Sequence, residues 1–218
     1  MRVANRLQGL AQSEIRRMTR ECERVGGINL GQGICDLPTP PLVRDGAIAA
    51  IRENRSTYSF AEGARELRDA IARKLARDNG LQADPAREIC VTVGASGAYT
   101  AAIHALLDPG DGILLFEPYY GYHLNAAVVA GLIAEFATLR FPEFTLREEA
   151  LEAAITSRTR AVVVVSHQPT LGRAAALILT GAESDWKFKK SAIWWFEQHE
   201  DEEDATVALR AVVSPASL

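Results

Sequence analysis

From Ile89 onward the chain alternates short apolar runs with helical stretches, and this rhythm restricts the fold more than any other feature. The runs are Ile89–Val93, Ile113–Phe116, Ile133–Leu139 and Ala161–Val165. Between them, 98–107, 124–130 and 148–155 carry apolar residues at helical spacing. Strands alternating with helices argue for parallel pairing, because a parallel pair needs a long crossover such as a helix supplies. The expected fold class is therefore α/β, a largely parallel sheet with flanking helices.

The N-terminal part lacks this rhythm. Helices are predicted over 10–25, 42–52 and 66–78, the last stopped by Asn79-Gly80. Segment 29–41, with Gly31, Gly33, Pro38, Pro40 and Pro41, and segment 56–64 read as loops. At the other end, 172–180 is predicted helical, and 192–197 and 207–213 are predicted to form a β-hairpin. The acidic run His199-Glu200-Asp201-Glu202-Glu203-Asp204 would be its solvated tip or, alternatively, an acidic binding surface.

Bulk properties exclude several classes. A net charge of −4 with 24% charged residues gives no basic excess for nucleic acid or an anionic membrane. No apolar segment is long enough to span a bilayer, and the polar first residues do not read as a secretory signal. The three cysteines, Cys22, Cys35 and Cys90, are odd in number and form no C-x-x-C pair. That argues against a disulfide framework or zinc site and fits a reducing cytoplasm.

The chemistry-bearing segment is Val91-Thr92-Val93-Gly94-Ala95-Ser96-Gly97-Ala98, a strand entering a helix through small residues. Such a turn either converges backbone N–H groups on an anion or merely turns the chain. It is neither a Walker loop nor a G-x-G-x-x-G fingerprint.

Four motifs occur in one order. They are Asn29-Leu30-Gly31-Gln32-Gly33-Ile34-Cys35-Asp36-Leu37-Pro38-Thr39-Pro40; Tyr58 with Gly63, Leu67 and Arg68 as Y-x4-G-x3-L-R; Gly94-Ala95-Ser96-Gly97-Ala98; and Phe116-Glu117-Pro118-Tyr119-Tyr120. Together they resemble the N-terminal part of the fold-type-I, pyridoxal-phosphate (PLP) dependent class I/II aminotransferases, over residues 1–165. The resemblance implies PLP as cofactor and amino-group transfer between an amino acid and a 2-oxo acid. It implies that Ala95, Ser96 and Gly97 hold the cofactor phosphate and that Tyr120 lies on the pyridine ring, with His123 supporting it. Gly33 would leave room for the substrate carboxylate. Tyr58 would reach a phosphate, usually that of a neighbouring subunit in a homodimer. The milder reading makes Tyr58 and Tyr120 core-edge aromatics and Gly33 a turn glycine; His104 reads as structural.

The family's chemistry also needs a lysine for the covalent cofactor link and an acid at the pyridine nitrogen. The lysines are Lys74, Lys187, Lys189 and Lys190. Ser184-Asp185-Trp186-Lys187 has the S-x-x-K form without the glycine and arginine pattern expected beyond it, so Lys187 is a weak catalytic candidate. Residues 161–218 also resemble the C-terminal part of small SixA-like phosphohistidine phosphatases, through Val162-Val163-Val164-Val165-Ser166-His167-Gln168-Pro169-Thr170-Leu171-Gly172. That resemblance makes His167 a second weak candidate, but no R-H-G nucleophile motif is present. The expected organisation is an aminotransferase-like fragment over 1–165 and a phosphatase-like segment over 166–218, a chimera without normal turnover. A degenerate phosphatase and a non-catalytic interaction module are the alternatives.

Overall fold

A computed structural model describes residues 4–10, 13–33, 37–164, 193–200 and 205–213. They divide into two compact units: one holds the described residues of 4–10 and those from Glu62 on, the other those from 13 to Ala61.

The first unit is built on a three-stranded parallel sheet of β1 (Gly112–Glu117), β2 (Ile133–Thr138) and β3 (Thr159–Val163), in the order β2-β1-β3. The parallel α/β architecture is the one the alternating pattern predicts. Pairing sets Leu115 beside Phe136 and Val163, and Ile113 beside Ala134 and Ala161. Because β1 is central, Ile113, Leu114 and Leu115 are all fully buried, which explains their unbroken apolar run. Helices α4 (Gly94–Leu106) and α5 (Gly121–Ala130) supply Tyr99, Ile103 and Ala127 to a core with Ile113 and Leu132. Helix α6 (Glu148–Ala154) packs against β2, and α3 (Arg65–Asn79) ends on Gly80 in the left-handed conformation.

One glycine has a structural task inside the sheet. The Glu135 carboxylate on β2 accepts hydrogen bonds from the hydroxyls of Thr156 and Thr159, which lie on the β3 side of β1. It reaches them past Gly112, where an added Cβ would lie 2.7 Å from Glu135 Oε2 and 2.9 Å from the Arg158 carbonyl. The same close approach lets Gly112 N–H donate to Arg158 O at 2.7 Å. Glycine at 112 thus allows a polar staple to cross the central strand.

Two expectations need correction. Ile89–Val93 is not a strand; 89–92 carry no sheet pairing among the described residues. Ile89 is buried and the Val91 N–H donates to Glu62 O at 2.9 Å, whereas Cys90 and Val93 are exposed, so within the run Ile89 alone is core. The adjoining helix begins at Gly94, four residues earlier than Ala98. Small residues that read as loop form its first turn, where the backbone N–H groups need no intrahelical acceptor.

The second unit contains α1 (Glu14–Arg24) and α2 (Pro41–Arg52), with no buried residue in either helix. Pro41 at the first helical position suits its missing N–H. The intervening loop is organised by Asn29, whose Oδ1 accepts the N–H groups of Gly31 and Gln32 while its Nδ2 donates to Thr19 Oγ1 at 2.9 Å. Ile28, Leu30 and Leu37 in this loop are exposed.

The hairpin predicted near the C-terminus is present as β4 (Ile193–Glu200) antiparallel to β5 (Ala205–Val213), from Ile193↔Val213 to Glu200↔Ala205. Pairing runs farther toward the acidic tip than the apolar pattern indicates; Asp201–Asp204 and the predicted helix 172–180 lie outside the described residues.

Candidate cofactor site

The first turn of α4 has unspent donors. Gly94, at φ +68°, donates its own N–H to Thr92 O at 2.8 Å, and the Thr92 hydroxyl donates back to Gly94 O at 3.1 Å. The N–H groups of Ala95 and Ser96, in the first turn of the helix, have no intrahelical acceptor and meet none outside it among the described residues. Ala95 and Gly97 are half-buried and Ser96 is exposed. Such donors and a hydroxyl at a helix N-terminus suit a phosphate, favoured further by the helix dipole.

Beside this turn stands an aromatic cluster. A cavity of about 280 Å³ is lined by Ser96 and Tyr99 of α4 and by Tyr122 and His123 of α5. The His123 ring lies 4.4 Å from Tyr99 and 5.2 Å edge-on from Tyr120, and Tyr99 donates its hydroxyl to His123 O at 3.3 Å. Tyr120 is the N-cap of α5 and is 44% exposed, so its ring is held on one side and open on the other. That geometry suits stacking on a planar heteroaromatic ring. Burial pushes His123 below its ordinary 6.5, leaving it neutral at pH 7, and pushes the Tyr99 phenol up to about 12. The cluster thus offers an apolar aromatic floor next to anion-binding donors, which fits a phosphorylated pyridine such as PLP.

The structure therefore brings Ser96, Tyr120 and His123 into one neighbourhood. Tyr58 and Gly33 belong to the second unit, where both are exposed. His104 is an exposed residue of α4 on the rim of the cavity. Lys187 and His167 lie outside the described residues. Lys74 is in α3 and pairs with Asp78 at 3.3 Å. Among the described residues no cluster of His, Cys, Asp and Glu could hold a metal ion. Tyr99 was missed by sequence reasoning, because a tyrosine in an alanine-rich helix looks like filler; its register one turn after Ser96 is the signal that could have found it.

Comparison with known proteins places the chain in a family. Residues 25–177 match the family described as "Aminotransferase class I and II". The chain is 37% identical over 170 residues to the probable N-succinyldiaminopimelate aminotransferase of Mycobacterium tuberculosis, covering 76% of this chain and 43% of that protein. It is 33% identical over 172 residues to the aspartate aminotransferase of Geobacillus stearothermophilus, covering 76% and 44%. Among solved structures, the Mycobacterium tuberculosis N-succinyldiaminopimelate aminotransferase superposes with a TM-score of 0.71 at 36% identity, over 77% of this chain and 44% of that one. Escherichia coli YbdL, for which a methionine aminotransferase function is described, gives 0.71 at 30% identity, over 78% and 45%. The chain thus spans less than half the length of these relatives. With a family match over most of its residues, the chain belongs to the class I and II aminotransferases, whose enzymes depend on PLP.

Proposed function

We propose that residues 1–165 form a PLP-binding large-domain fragment of an aminotransferase. The observation that carries this reading is the first turn of α4, with the unpartnered N–H groups of Ala95 and Ser96 and the Ser96 hydroxyl, sharing a cavity with His123, against which the half-open ring of Tyr120 packs. Bound PLP supplies an electron sink for the α-carbon of an amino acid. The chain's own residues bind and orient: the turn and the Ser96 hydroxyl hold the phosphate, the Tyr120 face covers the ring, and His123 backs Tyr120. Gly33 leaves space for the substrate carboxylate. Tyr58 reaches the phosphate in the neighbouring subunit of a homodimer. The substrates are an amino acid and a 2-oxo acid, and the compartment is the cytoplasm, which the free thiols of Cys22 and Cys90 suit.

These 218 residues do not complete the transfer by themselves in this reading, because no lysine carries the family's full motif. Binding is consequently non-covalent and turnover is below that of the parent enzymes. A histidine-phosphatase origin for 166–218 rests on the sequence around His167, a residue that the aminotransferase match through 177 also includes.

A PLP titration followed by absorbance, then borohydride reduction and peptide mass mapping, tests this. Saturable binding without a specific lysine adduct is the expected result. Folded protein that shows no saturable binding would overturn the reading. An adduct confined to Lys187 would replace non-covalent binding with a covalent site.

A further inference from the structure

The Gly63 and Arg68 of the Y-x4-G-x3-L-R motif have no part in the binding just described, yet their environment is unusual. Arg68 sits in the first turn of α3 with its side chain only 7% exposed. Its Nη1 donates to two successive carbonyls, Pro85 O at 2.8 Å and Ala86 O at 3.3 Å, and its Nη2 lies 3.4 Å from Glu62 Oε1. The Glu62 backbone in turn accepts the N–H of Val91 at 2.9 Å. Gly63, at φ +102°, lies so close to Val91 that an added Cβ would be 2.7 Å from the Val91 Cβ. Segment 62–68 therefore grips segment 85–91 at three places: the carbonyls of 85 and 86, the N–H of 91, and the Val91 side chain.

We infer that Arg68 and Gly63 are positioning residues for the phosphate turn, fixing the direction from which residues 89–93 deliver Gly94–Gly97. The reason is structural. Residues 89–92 carry no sheet pairing among the described residues, and within those residues the contacts from 62–68 are what fixes their direction. Convergence of the N–H groups of Ala95 and Ser96 on one anion then depends on the incoming backbone. A rigid guanidinium fork can hold two carbonyls and a carboxylate at once, whereas the ammonium of lysine acts as a compact point charge on a flexible stem.

This inference rests on the proposal that the turn binds the phosphate of PLP, and the test keeps the two apart. Affinities of wild type and Arg68→Lys are measured for PLP and for pyridoxal, which lacks the phosphate, and amide hydrogen exchange is followed on the cofactor-free proteins. In Arg68→Lys, PLP affinity falls about ten-fold, the scale of one lost charge-assisted hydrogen bond, while pyridoxal affinity changes less than about two-fold. Amides of 89–97 lose protection, and those of β1 and β2 keep theirs. An unchanged PLP-to-pyridoxal ratio, or equal loss of protection throughout the unit, would overturn the inference. If wild type binds no PLP, the functional reading fails, and the exchange pattern alone decides whether the grip orders the turn. Should Arg68→Lys not fold, Glu62→Gln, whose side chain is 44% exposed, must shift the ratio and the exchange in the same direction with smaller amplitude; no shift there would also overturn it.

Discussion

Ser96 and His123 make the site testable one side chain at a time. Ser96 is exposed, so Ser96→Ala leaves the core untouched. It removes one hydroxyl bond to a charged group, with an expected loss of about 1.5–3 kcal/mol in PLP binding. Isothermal titration with PLP checks this, and an unchanged Kd would remove Ser96 from the site. His123 carries a pH signature. Its burial lowers the folded-state pKa below 6.5, so the unfolded chain binds more protons as pH falls through that range. Stability is thus full above about pH 6.5 and declines as the pH drops toward and through the folded-state value. Urea midpoints of wild type and His123→Gln between pH 5 and 8 should show the variant with the flatter acid limb. Tyr99 works in the opposite direction: its phenol is raised to about 12, so its contribution is complete below pH 10 and disappears as pH climbs through 12.

At the scale of elements, the sheet depends on a missing side chain. Gly112→Ala puts a methyl group against the Arg158 backbone and across the path of Glu135, and overpacking of this kind costs about 1–3 kcal/mol. A urea melt should register that loss, and an unchanged midpoint would show that the strands simply shift. Much of this architecture was legible in the sequence. The apolar Ile113–Phe116 run was read as a strand of a largely parallel sheet, its central place coming from the structure, and the Asn79-Gly80 stop ended α3 where expected. What escaped was set by tertiary contact. Ile89–Val93 has the composition of a strand, but composition cannot report whether a neighbouring strand exists. The turn proposed to hold the phosphate was visible as small residues, whereas the free N–H groups of its first turn appear only once the helix start is fixed at Gly94. Arg68 gave no sign of its two-carbonyl grip, because an arginine in a charged helix reads as surface.

The described residues expose much apolar surface. Ile28, Leu30 and Leu37 in the second unit, and Val162 and Val164 at the end of β3 in the first, are largely or half open to solvent. No described helix is long and apolar enough to cross a membrane, so these residues do not belong to a membrane-spanning helix among the described residues. Strand edges and apolar patches of this sort favour association. Sedimentation velocity across a concentration series should reveal self-association, weakened by Leu30→Asp or Val162→Lys. A monomer at all concentrations would argue against the homodimer in which Tyr58 completes a neighbour's site.

The polar staple past Gly112 also bears on how this sequence can drift. Every amino-acid replacement of a glycine adds a side chain, so position 112 has no near-neutral neighbours in sequence space, and Gly63, pressed against Val91, shares that isolation. A comprehensive substitution screen scored by cofactor binding would rank both glycines as intolerant as Ser96, although neither touches the ligand. Scoring the same library by solubility would separate them: Gly112 would stay intolerant, and Ser96 would become permissive.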